Sequence, residues 1–174
     1  AYRYVTSDVN RIKISTDGGT SFSNGGSLPN NGNKRVYLSC SPAEPSHVYA
    51  ASTDNVYKST TEGILFTALS NPNSSGLAFA VSDVNTNNMI YGYVDLFAST
   101  DGGINFTQKT EWSNQNNAYI HADLRIAECV NGTFYVGTDG YFAKSNDNGN
   151  TWTRLNDGTA IREFYAVGLG QGNY

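Results

Sequence analysis

The chain has 174 residues, with 15 acidic and 11 basic side chains and a net charge of −4. No Lys/Arg cluster is present to neutralise phosphates, which excludes nucleic acid and anionic lipid as natural partners, and no apolar run approaches the ~18 residues of a membrane span. Charged residues make up only 15%, against 18 Gly, 12 Tyr and 8 Phe, the composition of many short strands joined by tight turns within one domain, taken as 1–174.

Read in order, the first unit opens with YRYVTSD (2–8) and RIKIS, two alternating runs separated by a short turn, which predicts a β-hairpin. The octapeptide STDGGTSF (15–22) follows, then the polar connector NGGSLPNNGN (24–33). A second unit starts with RVYLSC (35–40), turns through SPAEPS, and continues with HVYAASTD (47–54), NVYKS and the octapeptide STTEGILF (59–66). The third repeats the order: LAFAVS (77–82), DVNTNN, MIYGYVD (89–95), LFAS and STDGGINF (99–106). In the fourth come ADLRIAEC (122–129), VNG, TFYVGTD (133–139), YFAKS and SNDNGNTW (145–152), after which EFYAVGLG (163–170) reads as one more strand of the type that opens units two to four. The octapeptides begin at 15, 59, 99 and 145, a period that signals stacked units, none of which buries its apolar face alone.

Each octapeptide is built as a hairpin turn. A short Asp side chain (Asp17, Asp101, Asp147) accepts hydrogen bonds from backbone amides a few residues on. Ser15, Ser59, Ser99 and Ser145 open the motif; Gly19, Gly63, Gly103 and Gly149 supply a left-handed position without a Cβ penalty. The closing rings of Phe22, Phe66, Phe106 and Trp152 are expected to be buried in equivalent places. Thr61 stands where the other copies carry Asp, so the second hairpin is expected to be the least regular.

These octapeptides resemble the Asp box, or bacterial neuraminidase repeat, of β-propellers such as sialidases, sortilins and xyloglucanase-type glycosidases. The resemblance covers nearly the whole chain and implies an all-β propeller of four-stranded antiparallel blades, with the octapeptide between the third and fourth strands. The blades are expected at about 1–28, 34–71, 76–112 and 120–157, with a further inner strand at 163–170. Three arrangements fit this inventory: blades of a larger propeller, which the resemblance favours, a four-bladed ring closed by the last inner strand, or two chains completing one ring. The motif around His121-Ala122-Asp123 and the fourth octapeptide also resembles large secreted repeat proteins of Bacteroidetes-type surfaces, which implies a secreted or cell-surface location.

Candidate sites lie on the face opposite the octapeptides. Asp8, Asp54, Asp95 and Asp139 each end the second strand of a unit, where Asp suits a tight turn but would also form a carboxylate ring able to hold a cation or sugar hydroxyls. The stretch from Glu111 to Arg125 carries the richest polar and aromatic cluster. Trp112 offers a flat face for sugar stacking; Tyr119, His121, Asp123 and Arg125 follow. His121 and Asp123, two apart on an extended run, would point the same way and share a proton, a water or a metal. The plainer alternative is ordinary channel polarity.

Enzyme chemistry fits less well. A sialidase needs an arginine triad, and of six scattered arginines only Arg125 is suitably placed. A glycosidase needs two opposed carboxylates, of which Asp123 supplies one. Two His and two distant Cys fall short of a zinc site, and no bidentate acid follows Asp147 to complete a calcium loop. Neither a cofactor nor a metal is called for. The expectation is a non-catalytic interaction or carbohydrate-recognition module, partnered by a glycan or protein and by further blades of the same chain or a second copy. The alternatives are a glycoside hydrolase fragment and a ligand-free scaffold or adhesin segment. Cys40 and Cys129 fall two units apart, too far for a disulfide, and are expected to be buried free thiols.

Overall fold

The computed structural model describes residues 3–6, 11–29, 31, 34–53, 55–70, 72, 76–114 and 119–158. Asp8, Asp54 and the inner strand expected at 163–170 lie outside them. Among the described residues, fifteen strands form four antiparallel sheets, each a meander in chain order. The first sheet has three strands, β1 (Arg3–Thr6), β2 (Arg11–Ser15) and β3 (Ser23–Ser27). The second contains β4 (Val36–Cys40), β5 (Val48–Ser52), β6 (Val56–Ser59) and β7 (Thr67–Ala68). In the third are β8 (Ala78–Val81), β9 (Met89–Gly92), β10 (Leu96–Ser99) and β11 (Thr107–Gln108). The fourth holds β12 (Leu124–Val130), β13 (Thr133–Thr138), β14 (Phe142–Ser145) and β15 (Thr153–Arg154). The chain is thus an all-β propeller-type array, and no helix among the described residues is long and apolar enough to cross a membrane.

Strands buried on both faces lose the polar alternation of a half-exposed sheet. Every residue of β5 and β9 is buried, because the second and third sheets are covered on both sides. Three separate cores result, each between consecutive sheets. Ile12 and Leu28 meet Val48, Ala50, Tyr57 and Phe66; Tyr49, Ala51 and Val56 meet Phe79, Val81, Met89 and Tyr91; Ile90, Leu96 and Ala98 meet Leu124, Phe134, Val136 and Ala143. Each large side chain so buried contributes about 1.5–3 kcal/mol of transfer free energy.

The octapeptide turns share one hydrogen-bond scheme. In all four, the buried Ser hydroxyl accepts from the amide of the Gly four residues on, at 2.8 Å (Ser15, Ser145), 2.9 Å (Ser99) and 3.0 Å (Ser59). The same hydroxyl donates to Asp17, Asp101 or Asp147 at 2.7–2.8 Å, and that carboxylate accepts the amide of Ser21, Asn105 or Thr151 at 2.9–3.0 Å. Two consecutive residues have positive φ, including Glu62 (54°) and Asn148 (56°) where no Gly stands. Thr61 closes its turn the same way: its hydroxyl accepts the Leu65 amide at 3.0 Å and lies 3.3 Å from the Ser59 hydroxyl. The second hairpin therefore keeps the scheme despite the lost carboxylate.

The last three turns also reach back to the preceding sheet. Gly26 N donates to Gly63 O at 2.7 Å, Ser70 Oγ to Gly103 O at 2.8 Å, and Asn148 Nδ2 to Ser99 O at 2.9 Å. The approach at Gly26 is close enough that a Cβ there would sit 2.5 Å from the Ile64 carbonyl oxygen. This geometry corrects the expectation for the closing rings. Phe66 is 4% exposed and Phe106 and Trp152 pack against the cores between their sheets and the previous ones, but Phe22 is 42% exposed. The ring is buried by the sheet before it, and no described sheet precedes the first.

Both cysteines are free thiols, and Cys40 is exposed rather than buried. Val81, at the equivalent end of β8, is buried against the second sheet. Cys40 faces the three-stranded first sheet, which has no described inner strand opposite β4.

Candidate functional site

Because each sheet is a meander, the turns joining second to third strands and the loops leading to the next sheet share the end opposite the octapeptides. Tyr93 and Asp95 come from the turn between β9 and β10, and Asp139 from that between β13 and β14. Trp112 follows β11, and Tyr119, His121 and Asp123 precede β12. The backbone ties two sheets together here, with Leu124 N donating to Tyr93 O at 2.9 Å.

Asp95 is a local organiser: its Oδ1 accepts the Trp112 amide at 2.8 Å and its Oδ2 the Gln108 side-chain amide at 3.4 Å. That bond holds the loop so that the Trp112 indole stands 56% exposed. Arg125 makes a fork to Asp139, Nε to Oδ1 at 2.8 Å and Nη2 to Oδ2 at 2.9 Å, with its guanidinium 5.6 Å from the Tyr93 ring centroid. Asp123 lies beside the Tyr93 phenol and pushes it up by its charge and as an acceptor, while the Arg125 bond holds Asp139 below the usual carboxylate range and Asp139 in turn raises Arg125. Both partners of the ion pair remain in contact with solvent, so it orients the site more than it stabilises the fold.

A second group continues from the first. His121 lies edge-on to Tyr141 with ring centroids 6.2 Å apart, and its amide donates to the Tyr141 hydroxyl at 2.9 Å. The Arg154 guanidinium sits 4.6 Å from the Tyr141 centroid and 5.8 Å from that of Tyr119. Burial raises the Tyr141 phenol. Gly140 is required beside them, since a Cβ there would lie 2.6 Å from the His121 ring.

The expected pairing of His121 with Asp123 is corrected. Both precede β12, and Asp123 has φ of 62°, a left-handed conformation unusual for a non-glycine residue, so strand alternation does not relate their side chains. His121 Nδ1 turns to Ala122 O at 2.9 Å, while Asp123 turns to Tyr93. The structure instead groups Asp123 and Tyr93 with the Arg125–Asp139 fork, and Tyr119 and His121 with Tyr141 and Arg154. Tyr93, Tyr141 and Arg154 escaped the sequence reading. Tyr93 and Tyr141 each lie two residues from a turn Asp already singled out, the one cue that pointed to them.

The octapeptide carboxylates are absorbed by their own turns. Asp147 Oδ2 accepts the Thr151 hydroxyl at 2.6 Å, Asp17 Oδ2 the Ser21 hydroxyl at 2.6 Å and Asp101 Oδ2 the Asn105 amide at 2.8 Å, in addition to the bonds to Oδ1.

No family model matches the chain, and no curated protein matches it. Among solved structures, it is similar to YCF48 bound to D1 peptide at 10% identity and TM-score 0.65, covering 91% of this chain and 52% of that one. An ancestral GH74 enzyme matches at 20% identity and TM-score 0.65, with 88% and 22% of the two chains covered. The GH74 xyloglucanase from Xanthomonas campestris matches at 15% identity and TM-score 0.63, with 88% and 28% covered. The chain therefore spans about half the length of the first of these and less than a third of the other two. At such identities the likeness is one of fold, and that fold is the β-propeller.

Proposed function

We propose that this chain is part of a secreted or cell-surface Asp-box propeller that binds, without turning over, a glycan on the face opposite the octapeptides. The observation that carries the reading is the exposed Trp112 indole held beside Asp95, next to the Tyr93, Asp123, Arg125 and Asp139 network. A flat aromatic flanked by hydrogen-bonding groups suits the apolar face and hydroxyl rim of a sugar ring. The Arg125 fork holds Asp139 ionised, so Asp139 does not supply the protonated acid that a glycosidase needs near neutral pH.

The test is titration with xyloglucan oligosaccharides, the substrate class named for one fold relative. Binding should change the Trp112 fluorescence, weaken at least about tenfold in Trp112→Ala (about 1.4 kcal/mol), and release no reducing ends. No binding to a panel of plant and bacterial glycans would sink the reading. A second reading, a piece of a glycoside hydrolase, is favoured by one observation: the left-handed backbone at Asp123, since such strain concentrates at active sites. It requires reducing-sugar release that disappears in Asp123→Asn.

A further inference from the structure

The two arginines at the end opposite the octapeptides are placed differently. Arg125 has its fork committed to Asp139, at 2.8 and 2.9 Å. Arg154 is exposed and, among the described residues, has no ion-pair partner. The sheet sets its position. Arg154 pairs with Ala143 across β14 and β15, and directly paired residues send their side chains to the same side of a sheet. Ala143 and Tyr141, two apart on an extended run, both enter the core between the third and fourth sheets. Arg154 therefore rises on the side where the fourth sheet meets the third. Its guanidinium lies 4.6 Å from the Tyr141 ring centroid and 5.8 Å from that of Tyr119.

This support orients the guanidinium without neutralising it. Tyr141 is 5% exposed and its hydroxyl accepts the His121 amide, so the ring beneath Arg154 is fixed from two sides. A guanidinium stacked on a ring keeps its charge, and its N–H donors lie in its own plane, directed away from the ring. Restricting it beforehand lessens the freedom lost when a ligand engages it. The carboxylates of Asp95 and Asp139 are already engaged, by the Trp112 amide and by Arg125. An oriented, unpaired guanidinium of this kind matches a planar carboxylate, which it meets with two parallel N–H···O bonds.

We propose that Arg154, on its Tyr141 and Tyr119 support, is the subsite for a ligand carboxylate, and that the sugar bound at this end is a uronic acid. The proposal rests on the glycan-binding reading above and names the class of glycan. Trp112 and Tyr119 belong to the same connection between β11 and β12, which puts the stacking surface and the support of the charged subsite on one loop.

Calorimetric titration with oligogalacturonides, alginate oligosaccharides and glucuronoxylan fragments, each beside its carboxyl-reduced neutral counterpart, tests this. At least one uronide should bind about tenfold or more tighter than its counterpart at low salt, the scale of one charge-assisted fork. That preference should shrink in about 0.5 M salt, a comparison that needs no variant. Arg154→Gln should bring the ratio of acid to neutral affinity to about one, and Arg154→Lys, which keeps the charge without the fork, should retain part of it. An arginine that only supports the fold would lower both affinities together and leave the ratio intact, and that result would overturn the inference. So would equal affinities within every pair in the wild type, or a stronger preference for a sulfated galactan than for any uronide. In each of those cases, binding of neutral sugars with a Trp112 fluorescence change would leave the glycan-binding reading standing. Absence of binding to acidic and neutral sugars alike would remove both.

Discussion

At the scale of single residues, the octapeptide rings show how one motif position takes its environment from elsewhere. Phe66 and Phe22 occupy the same place in their turns, yet of the two only Phe66 has a described sheet in front of it. Phe66→Ala should therefore cost about 3–5 kcal/mol in urea unfolding, and Phe22→Ala no more than about 0.5 kcal/mol. Equal losses would refute the one-sided packing. Thr61 is a second case. In the other three turns the second carboxylate oxygen takes a side-chain donor from Ser21, Asn105 or Thr151, but the equivalent residue here is Leu65, which has none. Thr61→Asp alone should give little or no stabilisation, and Thr61→Asp with Leu65→Thr should exceed the sum of the single changes, as a thermal double-mutant cycle would reveal. The turn carboxylates also set a pH dependence. The Ser21 and Asn105 bonds lower Asp17 and Asp101, and the Thr151 and Ser145 bonds outweigh burial to lower Asp147. A lowered native pKa means the unfolded chain binds protons first, so this stability is complete above the ordinary carboxylate value and is lost as pH falls below about 4. The urea midpoint should drop between about pH 4 and pH 2 more steeply in the wild type than in Asp17→Asn/Asp101→Asn/Asp147→Asn.

At the scale of elements, neighbouring sheets are clamped at their turns as well as by their cores. Asp83, in the turn after β8, accepts the amides of Asn131 and Gly132 from the turn after β12 at 2.6 and 2.8 Å, and the Cys129 thiol at 3.4 Å. The Gly132 amide is the main reason the Asp83 carboxyl is lowered. Asp83→Asn loses the charged acceptor at all three donors. It should lower the melting temperature and, more tellingly, speed maleimide labelling of Cys129, whose thiol is half-buried beside it and raised by that burial. Cys40, exposed at the end of β4, should label first in both proteins. Unchanged Cys129 kinetics would show that the clamp does not hold the third and fourth sheets together.

At the scale of the whole molecule, the absence of a common core has a consequence for stability. Each described sheet shares its apolar face only with the next, so local opening should follow the number of covered faces. Native-state hydrogen exchange should be slowest in β5, β6, β9 and β10. Amides of β2 and β13, each in a sheet covered on one side, should exchange faster. Uniform protection across the four sheets would mean that they open as one unit.

The strand order and the four hairpin turns were legible from residues alone. Period-two alternation and the Ser-x-Asp-x-Gly spacing are local, and hydrogen bonds within eight residues enforce them. Asp95, Trp112, Asp139 and Arg125 could likewise be placed at one end, because a meander fixes which turns share an end. What each carboxylate does there was not legible. The left-handed Asp123, its place beside Tyr93 and the Arg125 fork to Asp139 depend on contacts between the third and fourth sheets and across β12 and β13. The exposure of Phe22 and Cys40 likewise follows from which neighbouring strands stand opposite them. A repeat sequence specifies each unit and its two faces; only the stacked structure decides which of those faces are covered.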